Sequence, residues 1–189
     1  RHHGGADDAM RQVLVAWADA ILAGALPAGP LTARGDAATG RATDSIALPD
    51  GGTELRAVAL SPDGSLATVT HLLARYRLPT TQVDRGWMNT NALTLVDVPS
   101  RKRILTLLLD NADRGAANPW AAAWTADGRT LCISHAGTNE VSVIDAPALR
   151  AKVASRPAGE VSIDLAFLSG VGRRVPSGGP GPRALAFAG

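Results

Sequence analysis

Two stretches, "AVALSPDGSLATVTH" (57–71) and "AAAWTADGRTLCISH" (121–135), align without a gap at an offset of 64 residues. Each holds an alternating apolar run, an Asp-Gly pair and a second alternating run that ends in His. Alternation with period two sets every second side chain on one face, which marks a strand. Asp-Gly between two such runs predicts a tight hairpin, because glycine takes the positive φ of the turn at little steric cost. The stretches therefore read as two copies of one hairpin.

The repeat extends further. "NALTLVDVPSRKR" (91–103) matches "NEVSVIDAPALRA" (139–151), now at an offset of 48. The 16-residue difference is an insertion: the first copy has "HLLARYRLPTTQVDRGWMNTN" (71–91) where the second has only "HAGTN" (135–139). "GPRALAFAG" (181–189) lines up with "NPWAAAWTA" (118–126), the start of a third copy. A more divergent copy opens the chain, with "RQVLVAWADA" (11–20) and "ARGDAATGRATDSIALPDG" (33–51). Residues 12–17 have helical propensity and cap-like flanks, but their place in the repeat favours a strand.

The unit has four strands, A to D. The clearer copy predicts them near 55–60, 66–71, 91–97 and 103–109. The next predicts them near 119–125, 130–135 and 140–145. Its D strand falls at "GRRV" (172–175), after a second insertion at 146–170 in which "APALRAKVAS" reads as a short helix. Four-stranded antiparallel units in tandem are β-propeller blades. The expected fold class is all-β, a propeller segment forming a partial wheel: part of a blade at 11–50, a blade at 54–110, a blade at 118–176 and the start of another at 181–189. The rest of the wheel is needed for closure.

Bulk properties narrow the function. Of 189 residues, 46% are hydrophobic, enough for a packed core. The net charge of +2 and the lack of a long basic run argue against a nucleic-acid partner. The longest apolar run, "VLVAWADAILAGAL", is broken by Asp19 and too short to span a bilayer. Cys132 is the single cysteine, so the chain has no internal disulfide and no Cys-x-x-Cys-His haem attachment. The opening "RHHGGADD" has no signal-peptide pattern.

"LCISHAGTNEVSVIDAPALRAKV" (131–153) and the "SPDG" at 61–64 resemble the YVTN-repeat family of bacterial propellers. The resemblance implies a seven-bladed wheel and a periplasmic or secreted protein. Some similar propellers accompany c-type cytochrome domains of the di-haem peroxidase kind. Haem would then sit in an adjoining domain or partner, since this segment implies no cofactor of its own.

With strand A innermost, the A–B and C–D turns share one face of the wheel. The B–C loops and D–A connections share the other, and there the long insertion sits. His71 and His135 hold equivalent places in adjacent blades. Imidazole ligates metals, but two His residues do not complete a site, so strand capping and carbonyl bonding compete with ligand binding. No metal is expected. The insertion adds Arg75, Tyr76, Arg77, Arg85 and Trp87, residue types found at interface hot spots, and it equally reads as a self-packed ordered loop in which Asp84 or Asp110 pairs an arginine. An insertion longer than about 12–15 residues is usually functional or disordered, and this one is too apolar for a disordered linker. Asp63, Asp97, Asp127 and Asp145 recur at turns and strand ends and read as structural. No catalytic constellation is visible, so enzyme activity stays open.

Three functions are compatible with these residues. One is a binding or scaffold module whose long-loop face meets a protein partner or small ligand. Another is the propeller part of a periplasmic redox enzyme working with a c-type cytochrome. The third is a lactonase-type hydrolase.

Overall fold

The computed structural model describes residues 31–36, 41–75 and 88–187. The expected strand at 12–17 lies outside them. A hairpin of β1 (Leu31–Asp36) and β2 (Arg41–Ala47) comes first. A meander follows: β3 (Gly52–Leu60), β4 (Leu66–Ala74), β5 (Asn89–Asp97) and β6 (Lys102–Leu108), each antiparallel to the next. The second meander runs β7 (Pro119–Trp124), β8 (Thr130–His135) and β9 (Glu140–Asp145). Helix α1 (Ala146–Ala154) and strand β10 (Glu160–Val161) intervene before β11 (Gly172–Pro176) closes the sheet against β9. These are two four-stranded blades with strands A to D in chain order.

The repeat is visible atom by atom in the A–B turns. In the first, Gly64 donates to the Ser61 carbonyl at 2.8 Å, and Leu66 N–H reaches the Ser61 hydroxyl at 3.0 Å. In the second, Gly128 donates to the Thr125 carbonyl at 2.9 Å, and Thr130 N–H reaches the Thr125 hydroxyl at 3.0 Å. The glycines have φ of 69° and 67°. Asp63 and Asp127 each accept from the hydroxyl and from a backbone N–H across the turn. Asp97 accepts from Ser100 N–H in a C–D turn, and Asp145 caps α1 through Ala148 N–H. All four aspartates are structural, because a short carboxylate satisfies the N–H groups that a turn or helix start leaves unpaired.

The first blade packs against the second on one face and against β2 on the other, so its middle strands lose water on both sides. Residues 90–96 of β5 are all buried, which is why the sequence there is nearly continuous in apolar and threonine side chains. The main core lies between the blades, with Leu93, Leu105 and Leu107 facing Leu131, Ile133 and Ile144. Leu149 and Val153 of α1 and Phe167 close it from the second insertion. Ile46 of β2 packs on the other face of the first blade, against Leu60, Ala67 and Val96.

Three features differ from the sequence reading. Strands β4 and β5 run past His71 by three rungs, to Ala74↔Asn89, so part of 71–91 is hairpin ladder rather than loop. Leu73 explains the extension: it is 2% exposed and packs with Ala92 and Leu108. The second insertion does not merely decorate its own blade. Its strand β10 pairs in parallel with β6 and becomes a fifth strand of the preceding blade. That pairing covers an edge that would otherwise be open. Residues 181–187, aligned with the start of a blade, form no strand.

Candidate functional site

Both blades interrupt the inner strand at the same place. The β3–β4 register shifts between Thr53 and Ala57, and the β7–β8 register between Pro119 and Ala122. A left-handed residue opens each irregularity: Glu54 at φ 48° and Asn118 at φ 54°. Non-glycine residues rarely adopt that conformation, so the fold imposes it. The third copy has Gly181 at φ 60° in the corresponding position. Hydroxyls on the B strand supply the ladder bond that each irregularity loses. Ala57 N–H donates to Thr70 Oγ1 at 3.1 Å, and Ala121 N–H donates to Ser134 Oγ at 3.0 Å.

An asparagine at the start of each C strand fastens the next copy. Asn91 Oδ1 accepts from Asn118 N–H at 3.1 Å, and Asn139 Oδ1 accepts from Gly181 N–H at 2.8 Å. Residues 181–187 thus enter on the same latch as the A strand before them, although they pair with no strand. Asp110 strengthens the first latch. It accepts from Asn91 N–H, Asn91 Nδ2 and Ala116 N–H at 2.7, 2.8 and 2.6 Å. Asp110 therefore serves this latch, and it is Glu140, buried beside the D–A connection, that takes arginines: Arg114 and Arg174. Arg174 also donates to the Arg114 and Gly115 carbonyls, pinning that connection.

The consequence lies two residues beyond each left-handed position. Arg56, Trp120 and Arg183 are equivalent residues of three successive copies, and the structure stacks them. The Arg56 guanidinium lies 4.5 Å from the Trp120 ring centroid, and the Arg183 guanidinium 4.6 Å. Arg56 lies in the middle of β3 and Trp120 near the start of β7, each inside the register shift toward the long-insertion end of its inner strand. Glu54 pairs with Arg56. These residues escaped the sequence reading. Projecting the repeat offset from Arg56 reaches Trp120, and the alignment of 181 with 118 reaches Arg183, so the signal was present.

His71 and His135 lie inside the blades and are 0% exposed. His71 Nδ1 meets the Leu72 carbonyl at 2.8 Å and Nε2 meets Thr94 Oγ1 at 2.8 Å. Thr94 Oγ1 in turn lies 2.7 Å from Thr106 Oγ1. His135 Nδ1 meets the Ala116 carbonyl at 3.0 Å and Nε2 meets Ser142 Oγ at 2.7 Å. A carbonyl only accepts, so Nδ1 carries the proton and Nε2 accepts from a hydroxyl. Burial holds the His71 pKa below its ordinary value and lowers that of His135 to about 4. Both rings are neutral, satisfied crosslinks between strands. Burial likewise pushes the Cys132 thiol up, away from thiolate reactivity.

The insertion leaves the blade through a closed neck. Arg75 N–H donates to the Met88 carbonyl at 2.7 Å, next to the last ladder pair. Tyr76, Arg77, Arg85 and Trp87 lie outside the described residues. Among the described residues, no three His, Cys, Asp or Glu side chains cluster as a metal site needs. No helix among them is long and apolar enough to cross a membrane.

No protein-family model matches the chain. A curated relative does. Over 110 residues the chain is 28% identical to hydrazine synthase subunit beta of Kuenenia stuttgartiensis, a match covering 58% of this chain and 28% of that protein. The solved structure of Kuenenia stuttgartiensis hydrazine synthase superposes with a TM-score of 0.64 at 25% identity, over 81% of this chain and 44% of that one. This chain is similar to a propeller-type enzyme subunit and spans less than half of it. A Bacteroides fragilis protein assigned as a 6-phosphogluconolactonase overlaps at a TM-score of 0.39 and 17% identity, over 61% of this chain and 28% of that one. That overlap is too loose to argue from.

Proposed function

We propose that this chain belongs to a β-propeller subunit that presents its long-loop face to a protein partner within a redox complex. The likeness to hydrazine synthase, over 81% of the chain, carries this reading, because the curated relative is itself named as a subunit. The geometry adds support. The residues around both histidines form satisfied structural networks. In the B–C connection, what distinguishes the first blade from the second is the insertion behind the neck at Arg75 and Met88.

In finer detail, the wheel has seven blades of the YVTN type, the protein is exported, and the partner is a c-type cytochrome. The test is purification of the complete protein at native abundance, followed by native mass spectrometry and absorbance in the haem Soret region. The reading expects a stoichiometric complex containing a haem protein. A protein that runs as a lone subunit, with no Soret band and with hydrolase activity of its own, would overturn it.

A further inference from the structure

The exposed charge at the inner edge of the long-loop face has a use independent of any docked subunit. We propose that Arg56, Trp120 and Arg183 form a binding site for a small organic carboxylate bordering the central channel.

Three observations carry the assignment. The first is placement. The three residues hold one repeat position in successive copies, two residues past Glu54, Asn118 and Gly181, whose φ values are 48°, 54° and 60°. Inner strands border the channel of a propeller, so the position recurs as a ring around its mouth. The second is orientation. Both guanidiniums lie within 4.6 Å of one indole centroid, so their carbons are no more than about 9.1 Å apart. The electron-rich indole holds the two cations against their mutual repulsion. A stacked guanidinium keeps its donor edge in plane and available for a two-point bond to a carboxylate.

The third is the charge count. Glu54 contacts Arg56 and shows a carboxylate seated on this group. Among the described residues Arg183 is exposed and makes no ion pair or hydrogen bond. Among the described residues, two guanidiniums on this indole thus meet one carboxylate. A carboxylate on Arg183 completes the pattern that Glu54 begins on Arg56. An acid with a second carboxylate can also compete with Glu54, which is half exposed and free to swing away. The ligand class is therefore a small di- or tricarboxylic acid.

The test is isothermal titration of the complete protein with citrate in low-salt buffer near neutral pH. Saturable binding with one citrate per propeller is expected. Arg183→Ala and Arg56→Ala should each weaken it by at least about tenfold, since each removes a charge-assisted two-point bond. Arg183→Lys should restore only part, because an ammonium lacks the planar fork. Glu54→Gln should tighten binding by removing the internal competitor. Arg129→Ala, on the A–B turn at the opposite face, should change nothing. A melting curve for each variant separates loss of the site from loss of the fold. Absence of saturable binding would overturn the proposal. So would an Arg129→Ala loss equal to that of Arg183→Ala, which would indicate diffuse attraction, or weaker binding in folded Glu54→Gln protein.

Discussion

His135 commits one ring nitrogen to the Ala116 carbonyl and the other to the Ser142 hydroxyl, and water cannot reach it. Burial strips the charged ring of its solvating water, and the nearby Arg174 charge acts in the same direction. The folded state therefore prefers the neutral ring, with a pKa of about 4 against an ordinary value near 6.5. Below the ordinary value the unfolded chain binds more protons than the folded one, so stability falls as pH drops. It is fully present above about pH 6.5 and declines toward pH 4. His71 adds to the trend in the same direction. Thermal melts of the complete protein at pH 7.5, 6 and 5 should show a progressive fall in Tm. In His135→Gln, whose amide can serve the same partners without titrating, the melting temperature should depend less steeply on pH. A Tm in the parent protein that is flat over this range would contradict the assignment. The equivalence of the two histidines was legible in the repeat. Carbonyl bonding, one of the roles read for them, is what each Nδ1 does, whereas the hydroxyl partners were not legible, because Thr94 and Ser142 meet the rings only through strand register.

At the scale of elements, the strands were legible and their irregularities were not. Alternation and Asp-Gly placed β3, β4, β7 and β8, and the repeat placed β5, β6, β9 and β11. Nothing in composition marks Glu54 or Asn118 as left-handed, and the latch that holds Asn118 comes from Asn91 of the neighbouring copy. The two-residue strand β10 has no periodic signal and was missed. The hairpin neck at Ala74 and Asn89 was read as loop because burial of Leu73, rather than alternation, extends it. The latch itself is testable. Asn139 combines a φ of 56° with a side-chain bond to Gly181 N–H. Asn139→Ala loses the bond and strains the backbone, and should destabilise by about 2 kcal/mol. Asn139→Gly loses the bond but suits the backbone, and should cost less. Denaturant titration of both variants decides this, and equal losses would show that the conformation is not the strained part.

For the whole molecule, the architecture sets how far any piece can stand alone. Each blade buries its faces against its neighbours, so stability is shared between copies as in other repeat proteins. Residues 31–187 expressed separately should melt without a cooperative transition or associate through their open faces. A sharp, concentration-independent melt of a monomer would argue against that dependence.

The same architecture makes the long insertion separable from the fold. Its neck closes on Arg75 and Met88, and Leu73 anchors the hairpin below it. The second blade manages the same connection with Ala136 to Asn139 alone. The most direct measurement replaces residues 76–87 in the complete protein by a short Gly-containing turn. Melting temperature and partner retention by native mass spectrometry are then compared with the parent. The expected result is a Tm within a few degrees of the parent and loss of the partner. A folded variant that keeps its partner, or a collapse in Tm while Arg75→Ala, Arg77→Ala and Trp87→Ala in the intact loop leave the complex unchanged, would contradict it.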